Sequence, residues 1–126
     1  MEINTKDQII NYFLSGAKKN VFIGVENEKF LFQEKNNVRA TYSDIKKVFE
    51  IFKKKFEWKE VKENENIVGL KIDGKSISLE PGNQIELSGN KLSNIHEVCS
   101  ESYDFQNQLD QICKETGLKT MSIGYA

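Results

Sequence analysis

The chain is poor in the residue types that much enzyme chemistry depends on. Among 126 residues it has one arginine (Arg39), one histidine (His96), one proline (Pro81) and two cysteines, Cys99 and Cys113. No Cys or His cluster has the spacing of a zinc site, and the two cysteines fall in a helical pattern, so both read as reduced thiols. Eighteen basic residues against nineteen acidic ones leave a net charge of −1. That balance lacks the basic excess of a nucleic-acid or anionic-membrane binder, so neither is expected as a partner. There is no apolar run long enough to span a bilayer and no secretory h-region or arginine-rich transit pattern at the start, which suggests the cytoplasm. The P-loop, the dinucleotide fingerprint and the G-x-S-x-G elbow are all missing. A lone arginine is also little for an enzyme that handles phosphates.

What remains suits one globular domain, with 38% hydrophobic and 29% charged residues. Its centre is the stretch 76–89, S-I-S-L-E-P-G-N-Q-I-E-L-S-G. Alternation puts Ile77 and Leu79 on one face of a strand and Ser78 and Glu80 on the other. Pro81-Gly82 forces a bend, and the alternation then resumes with Ile85 and Leu87 opposite Gln84, Glu86 and Ser88.

The rest of the chain supplies partners for that strand. Thr5-Lys-Asp-Gln8 is a capping-box pattern that starts a helix over 5–15, stopped at Gly16. A strand is predicted over 21–32, with Val21, Ile23 and Val25 on one face and Gly24, Glu26 and Glu28 on the other. Asn36-Asn37 reads as a turn. Ser43 is the expected cap of a second helix whose apolar stripe is Ile45, Val48, Phe49, Phe52 and Phe56, with the lysines of 46–59 on its solvated side. A short strand over 58–61 and a hairpin, 67–72 and 75–80 about an Asp73-Gly74 turn, come next. Ser93 or Asn94 caps a third helix with Ile95, Val98, Cys99, Ser102, Phe105, Leu109, Ile112 and Cys113 along one face and Gly117 closing it. Cys99 is expected to be buried. A final strand is predicted over 118–125. This order is no βαβ repeat; it fits an α+β fold, an antiparallel sheet with helices on one face.

Two glutamates at i and i+2 on a strand project from one face roughly 6.5–7 Å apart. With the two acidic strands adjacent, Glu26, Glu28, Glu80 and Glu86 face one concavity with Gln84 between the last pair. Four carboxylates share such a place only if cations neutralise them or their pKa values rise. Oxygen ligands without Cys or His select magnesium or manganese, and magnesium held by few carboxylates completes its shell with water and phosphate oxygens. For either acidic pattern alone, a solvated strand face is the alternative.

The runs I-G-V-E-N-E-K-F at 23–30, N-I-V-G-L-K at 66–71, the 76–89 stretch and L-S-N-I-H-E-V-C-S-E at 92–101 resemble the amino-terminal part of the plant-type, also proteobacterial, glutamate–cysteine ligases. The resemblance implies a glutamine-synthetase-like catalytic fold. It implies ATP-dependent joining of the glutamate γ-carboxylate to the cysteine amine through an acyl phosphate, the first step of glutathione biosynthesis. ATP, glutamate and cysteine would be the small-molecule substrates, Mg2+ (or Mn2+) the cofactor, and no residue a covalent nucleophile. By similarity Glu26, Glu28, Glu80 and Glu86 are metal ligands, and Gln84, Ser88 and His96 are substrate-binding candidates. Where the family motif would read E-H-E this chain has E-N-E, with Asn27 on the face away from the glutamates.

Members of that family run several times longer, with their phosphate-binding arginines and lysines downstream. Residues 1–126 are therefore expected to be the amino-terminal portion of a single ligase catalytic domain, inactive alone and prone to associate through exposed strand edges. The alternatives are a non-catalytic metal- or glutamate-binding module and a carboxylate–amine ligase with another amine acceptor.

Overall fold

Asp73 and Gly74 take positive φ values of 44° and 84°, the pairing a two-residue hairpin turn needs to match the twist of its strands. In the computed structural model, which describes residues 3–17 and 20–124, this turn joins β3 (Asn66–Ile72) to β4 (Lys75–Glu80). A turn of 3-10 helix at Pro81–Asn83, with Gly82 at φ 76°, leads into β5 (Gln84–Ser88). With β1 (Glu26–Gln33), β2 (Lys59–Glu63) and β6 (Leu118–Met121) these strands form one six-stranded antiparallel sheet, in the order β2-β3-β4-β5-β1-β6. The hairpin and the bend after it stand as expected.

Helix α1 (Lys6–Ser15) begins with the capping box at Thr5 and Gln8. Helix α2 (Tyr42–Phe56) is capped by Thr41, not Ser43: the Thr41 side chain accepts from the Asp44 N–H, and Asp44 returns the bond to the Thr41 N–H. For α3 (Ile95–Thr116) the cap is Asn94, and Gly117 ends the helix at φ 66°.

Helices α2 and α3 cover one face of the sheet. Ile45, Val48, Phe49 and Phe52 of α2 and Phe105, Leu109, Ile112 and Cys113 of α3 pack against Leu31, Leu70, Ile77, Ile85 and Leu87. Each such side chain contributes roughly 1.5–3 kcal/mol when fully buried. The Phe52 and Phe105 rings stack 6.3 Å apart at the centre of that seam. Helix α1 buries none of its residues, so the fold consists of a covered sheet face and an open one.

Three boundaries differ from the sequence reading. The first strand starts at Glu26, because residues 21–25 make only an isolated bridge between Ile23 and Leu92. The last strand ends at Met121, and Tyr125 lies outside the described residues. Cys99 is exposed and Ile95 is 57% exposed, so the α3 stripe effectively begins at Val98; Cys113 alone of the two thiols is buried.

Candidate metal centre on the open sheet face

The register of β4, β5 and β1 arranges the polar side chains as a lattice. Ser78, Glu86 and Glu28 lie directly opposite one another across the three strands, and Ser76, Ser88 and Glu26 form the next row. Glu80 pairs with Gln84 in the third row. All of these point away from Ile77, Ile85 and Leu87, whose burial fixes the other face. The sheet thus brings Glu26, Glu28, Glu80, Glu86, Gln84 and Ser88 onto one surface. Directly opposed side chains have Cβ atoms about 4.5–5.5 Å apart. Facing carboxylates at that spacing repel unless a proton or a cation lies between them.

Glu86 registers that repulsion. Burial lifts its carboxyl above the ordinary carboxylate range. A hydrogen bond shared with Glu28 and the negative charges of Glu26 and Glu80 push it the same way, against a smaller opposing effect of the Ser88 hydroxyl. That hydroxyl donates to Glu86 Oε1 at 3.3 Å. In the next row the Gln84 side-chain oxygen is buried with no hydrogen-bond partner among the described residues, a state that costs free energy until something donates to it or binds it.

A cavity of about 300 Å³, lined by Gly24, Val25, Glu26, Ser88 and Gly89, opens at the end of the lattice. Its rim is braced from α3. The half-buried Glu101 carboxylate accepts from the Asn90 N–H at 3.0 Å and from Asn90 Nδ2 at 2.9 Å, and the Gly89 N–H donates to the Val25 carbonyl at 2.9 Å. His96 stands apart from the lattice, exposed in the first turn of α3 with its backbone N–H donating to Asn94 Oδ1.

An all-oxygen set bearing excess negative charge, with an unsatisfied buried acceptor beside it, fits a hard divalent cation. Among the described residues no three His, Cys, Asp or Glu side chains close into a cage. The lattice therefore suits an ion that takes one or two carboxylates and fills its shell from water and ligand oxygens, as magnesium does.

The strand-by-strand reading missed the groups that reach this face from elsewhere. Arg39 lies with its Cζ 4.8 Å from the centre of the Phe30 ring, placed there by a bridge between Arg39 and Phe32. Glu101 acts from a helix. Neither shows in the alternation of the acidic strands; a polar S-G-N run leaving a strand is the available hint of the Glu101 brace.

An antiparallel sheet with a carboxylate-lined open face and helices behind it defines the class. The chain belongs to glutamate-cysteine ligase family 2, whose model matches residues 22–126. It is 36% identical over 123 residues to the chloroplastic glutamate–cysteine ligase A of Oryza sativa subsp. japonica, covering 96% of this chain and 25% of that protein. The chloroplastic glutamate–cysteine ligases of Medicago truncatula and Arabidopsis thaliana are 38% and 37% identical, again over 96% of this chain and 24% of theirs. The chain spans about a quarter of the length of the curated relatives it matches. Among the described residues no helix is long and apolar enough to cross a membrane.

Proposed function

We infer that this chain is the metal-binding front portion of an ATP-dependent glutamate–cysteine ligase. The protein it belongs to would join the γ-carboxylate of glutamate to the amine of cysteine by way of an acyl phosphate, within a glutamine-synthetase-like catalytic domain that continues past the strands described here. The observation that carries the reading is the directly opposed pair Glu28 and Glu86, flanked on the same open face by Glu26 and Glu80.

Glu26, Glu28, Glu80 and Glu86 are the residues that would hold Mg2+ or Mn2+. When bound, such ions, each taking one or two of these carboxylates, would offset part of their charge and that of ATP phosphates and the substrate carboxylate. This chain's own contribution is positioning. The sheet register fixes the carboxylates, the Ser88 hydroxyl orients Glu86, and Gln84 offers a buried acceptor with no hydrogen-bond partner among the described residues. Ser88, Gln84 and His96 are the proposed contacts to glutamate, cysteine or ATP. No covalent nucleophile is assigned. The proposed compartment is the cytoplasm, although the relatives above are named chloroplastic.

Glu86→Gln in the full-length protein tests the assignment. Loss of one preorganised electrostatic group is expected to lower ATP-dependent γ-glutamylcysteine formation about 10²–10³-fold, with a melting temperature no lower than that of wild type because a repelled carboxylate is removed. Activity within a few-fold of wild type would remove Glu86 from the metal set.

A further inference from the structure

Beyond Glu26 and Ser88 the pairing of β1 with β5 does not end cleanly. The Gly89 N–H donates to the Val25 carbonyl at 2.9 Å, and Ile23 and Leu92 then exchange both of their backbone bonds, at 2.8 and 2.9 Å. After Val25 and Gly89, a regular antiparallel ladder would set Lys91, not Leu92, opposite Ile23. Asn90 and Lys91 therefore face Gly24 alone. This is a β-bulge at the mouth of the cavity beside Glu26.

A bulge leaves a backbone group without its ladder partner, and here Glu101 supplies one. Its carboxylate accepts from the Asn90 N–H at 3.0 Å and from Asn90 Nδ2 at 2.9 Å. Glycine on either side leaves room for this arrangement. A Cβ at Gly89 would run into Glu101 Oε1 and come within 3.1 Å of the Val25 carbonyl oxygen, and one at Gly74 would come within 2.5 Å of Asn90 Oδ1. One carboxylate thus ties α3 to the bulge, and the bulge lies against the β3–β4 turn. What the bulge holds is the outermost row of the metal lattice. Glu26 is the first residue of β1 and is exposed, so its place depends on its pairing with Ser88 and on the bond between Gly89 and Val25. Ser88 in turn donates to Glu86. A fault at Asn90 would therefore reach Glu26 through Val25 and Glu86 through the Ser88 hydroxyl.

We propose that Glu101 is a positioning residue of the metal site. By satisfying the bulge it fixes Glu26 and Ser88, and it does so from a helix, without touching the ion. The proposal rests on the metal-site reading above and adds a support that the acidic strands do not contain. Loss of such a supporting group typically costs about 10–100-fold in metal affinity.

Glu101→Ala and Glu101→Gln in the full-length protein provide the test. Alanine removes the charge and the acceptors together. Glutamine removes the charge but keeps an oxygen for the Asn90 N–H, and the Asn90 amide can turn its own oxygen to meet the new amide. Mg2+ is titrated calorimetrically without nucleotide or amino acid, and Glu86→Gln marks the heat that belongs to the glutamate lattice. Hydrogen exchange is followed on peptides covering 86–92 and, as a control, 45–56. Glu101→Ala is expected to weaken Mg2+ binding about tenfold or more and to speed exchange in 86–92 alone, and Glu101→Gln to restore most of both. Mg2+ affinity or exchange unchanged in Glu101→Ala would overturn the proposal and leave the metal reading standing. So would an equal loss of affinity in both variants, which would make Glu101 a distant charge. If wild type shows no Mg2+ heat that Glu86→Gln removes, the metal reading fails and the role of Glu101 falls with it.

Discussion

Asp44 shows how much a single side chain fixes locally. Its carboxylate accepts from the Thr41 N–H at 2.9 Å, the Thr41 hydroxyl at 2.8 Å and Gln33 Nε2 at 3.3 Å. The Thr41 backbone bond, then the Thr41 hydroxyl, hold the Asp44 carboxyl below its ordinary value of 3.8; partial burial opposes this, and Gln33 and Lys47 add to it. A carboxyl depressed in the fold stabilises it above the ordinary carboxylate pKa and loses that contribution as pH falls through the lowered value. Asp44→Ala is therefore expected to cost about 1 kcal/mol at neutral pH, the usual scale for a lost cap. The gap to wild type should narrow in strong acid. Urea denaturation at both pH values measures it, and a gap independent of pH would contradict the assignment. The helix itself was legible from its apolar stripe, but the cap was not. Thr41, Ser43 and Asp44 offer competing caps over four residues, and only the reciprocal bonds of Thr41 and Asp44 decide between them.

At the scale of elements, the strands were legible where a turn punctuated them. Asp73-Gly74 and Pro81-Gly82 announced β3, β4 and β5 to within a residue or two. The start of β1 was not legible, because Val21, Ile23 and Val25 alternate as a strand would but lack a ladder, and Val21 is 86% exposed. Alternation records which face a residue prefers, not whether a neighbouring strand is present. The site divides the same way: the glutamates were legible because they share strand parity, whereas Arg39 and Glu101 arrive from other elements.

Within β3, Val61 pairs with Gly69 and Lys62 with Ile67, so Val68 has no partner on β2 and both Ile67 and Leu70 remain buried. Gly69 lies so close to β4 that a Cβ there would come within 2.7 Å of the Ile77 carbonyl oxygen. That atom belongs to a paired strand and cannot move alone. Gly69→Ala is expected to lower stability by about 1–3 kcal/mol, read from the denaturant midpoint. A variant as stable as wild type would mean that β3 and β4 separate at little cost.

Among the described residues the sheet has two edges, β2 and β6, and helix α1 buries nothing. On α1, Phe13 is 73% and Leu14 62% exposed. Unpaired strand edges and contiguous apolar surface both favour association. The 126-residue chain is therefore expected to show a weight-average mass that rises with concentration in sedimentation equilibrium. A monodisperse monomer that unfolds cooperatively would instead support a self-sufficient module.

The strand order also sets a timetable for folding. β2, β3 and β4 are each bonded to the next strand in the chain, whereas β1 enters between β5 and β6. The four-strand meander closes short loops and should form early, and β1 and β6, brought together from distant parts of the chain, should dock late. In stopped-flow chevrons, Ile77→Val should mainly slow folding and Leu31→Val mainly speed unfolding; the reverse pattern would refute this order. Glu80 and Glu86 belong to the early part, and Glu26 and Glu28 to the late one. The two glutamate pairs would then meet only in the last step, when the docking of the rest of the sheet can drive them together against their mutual repulsion.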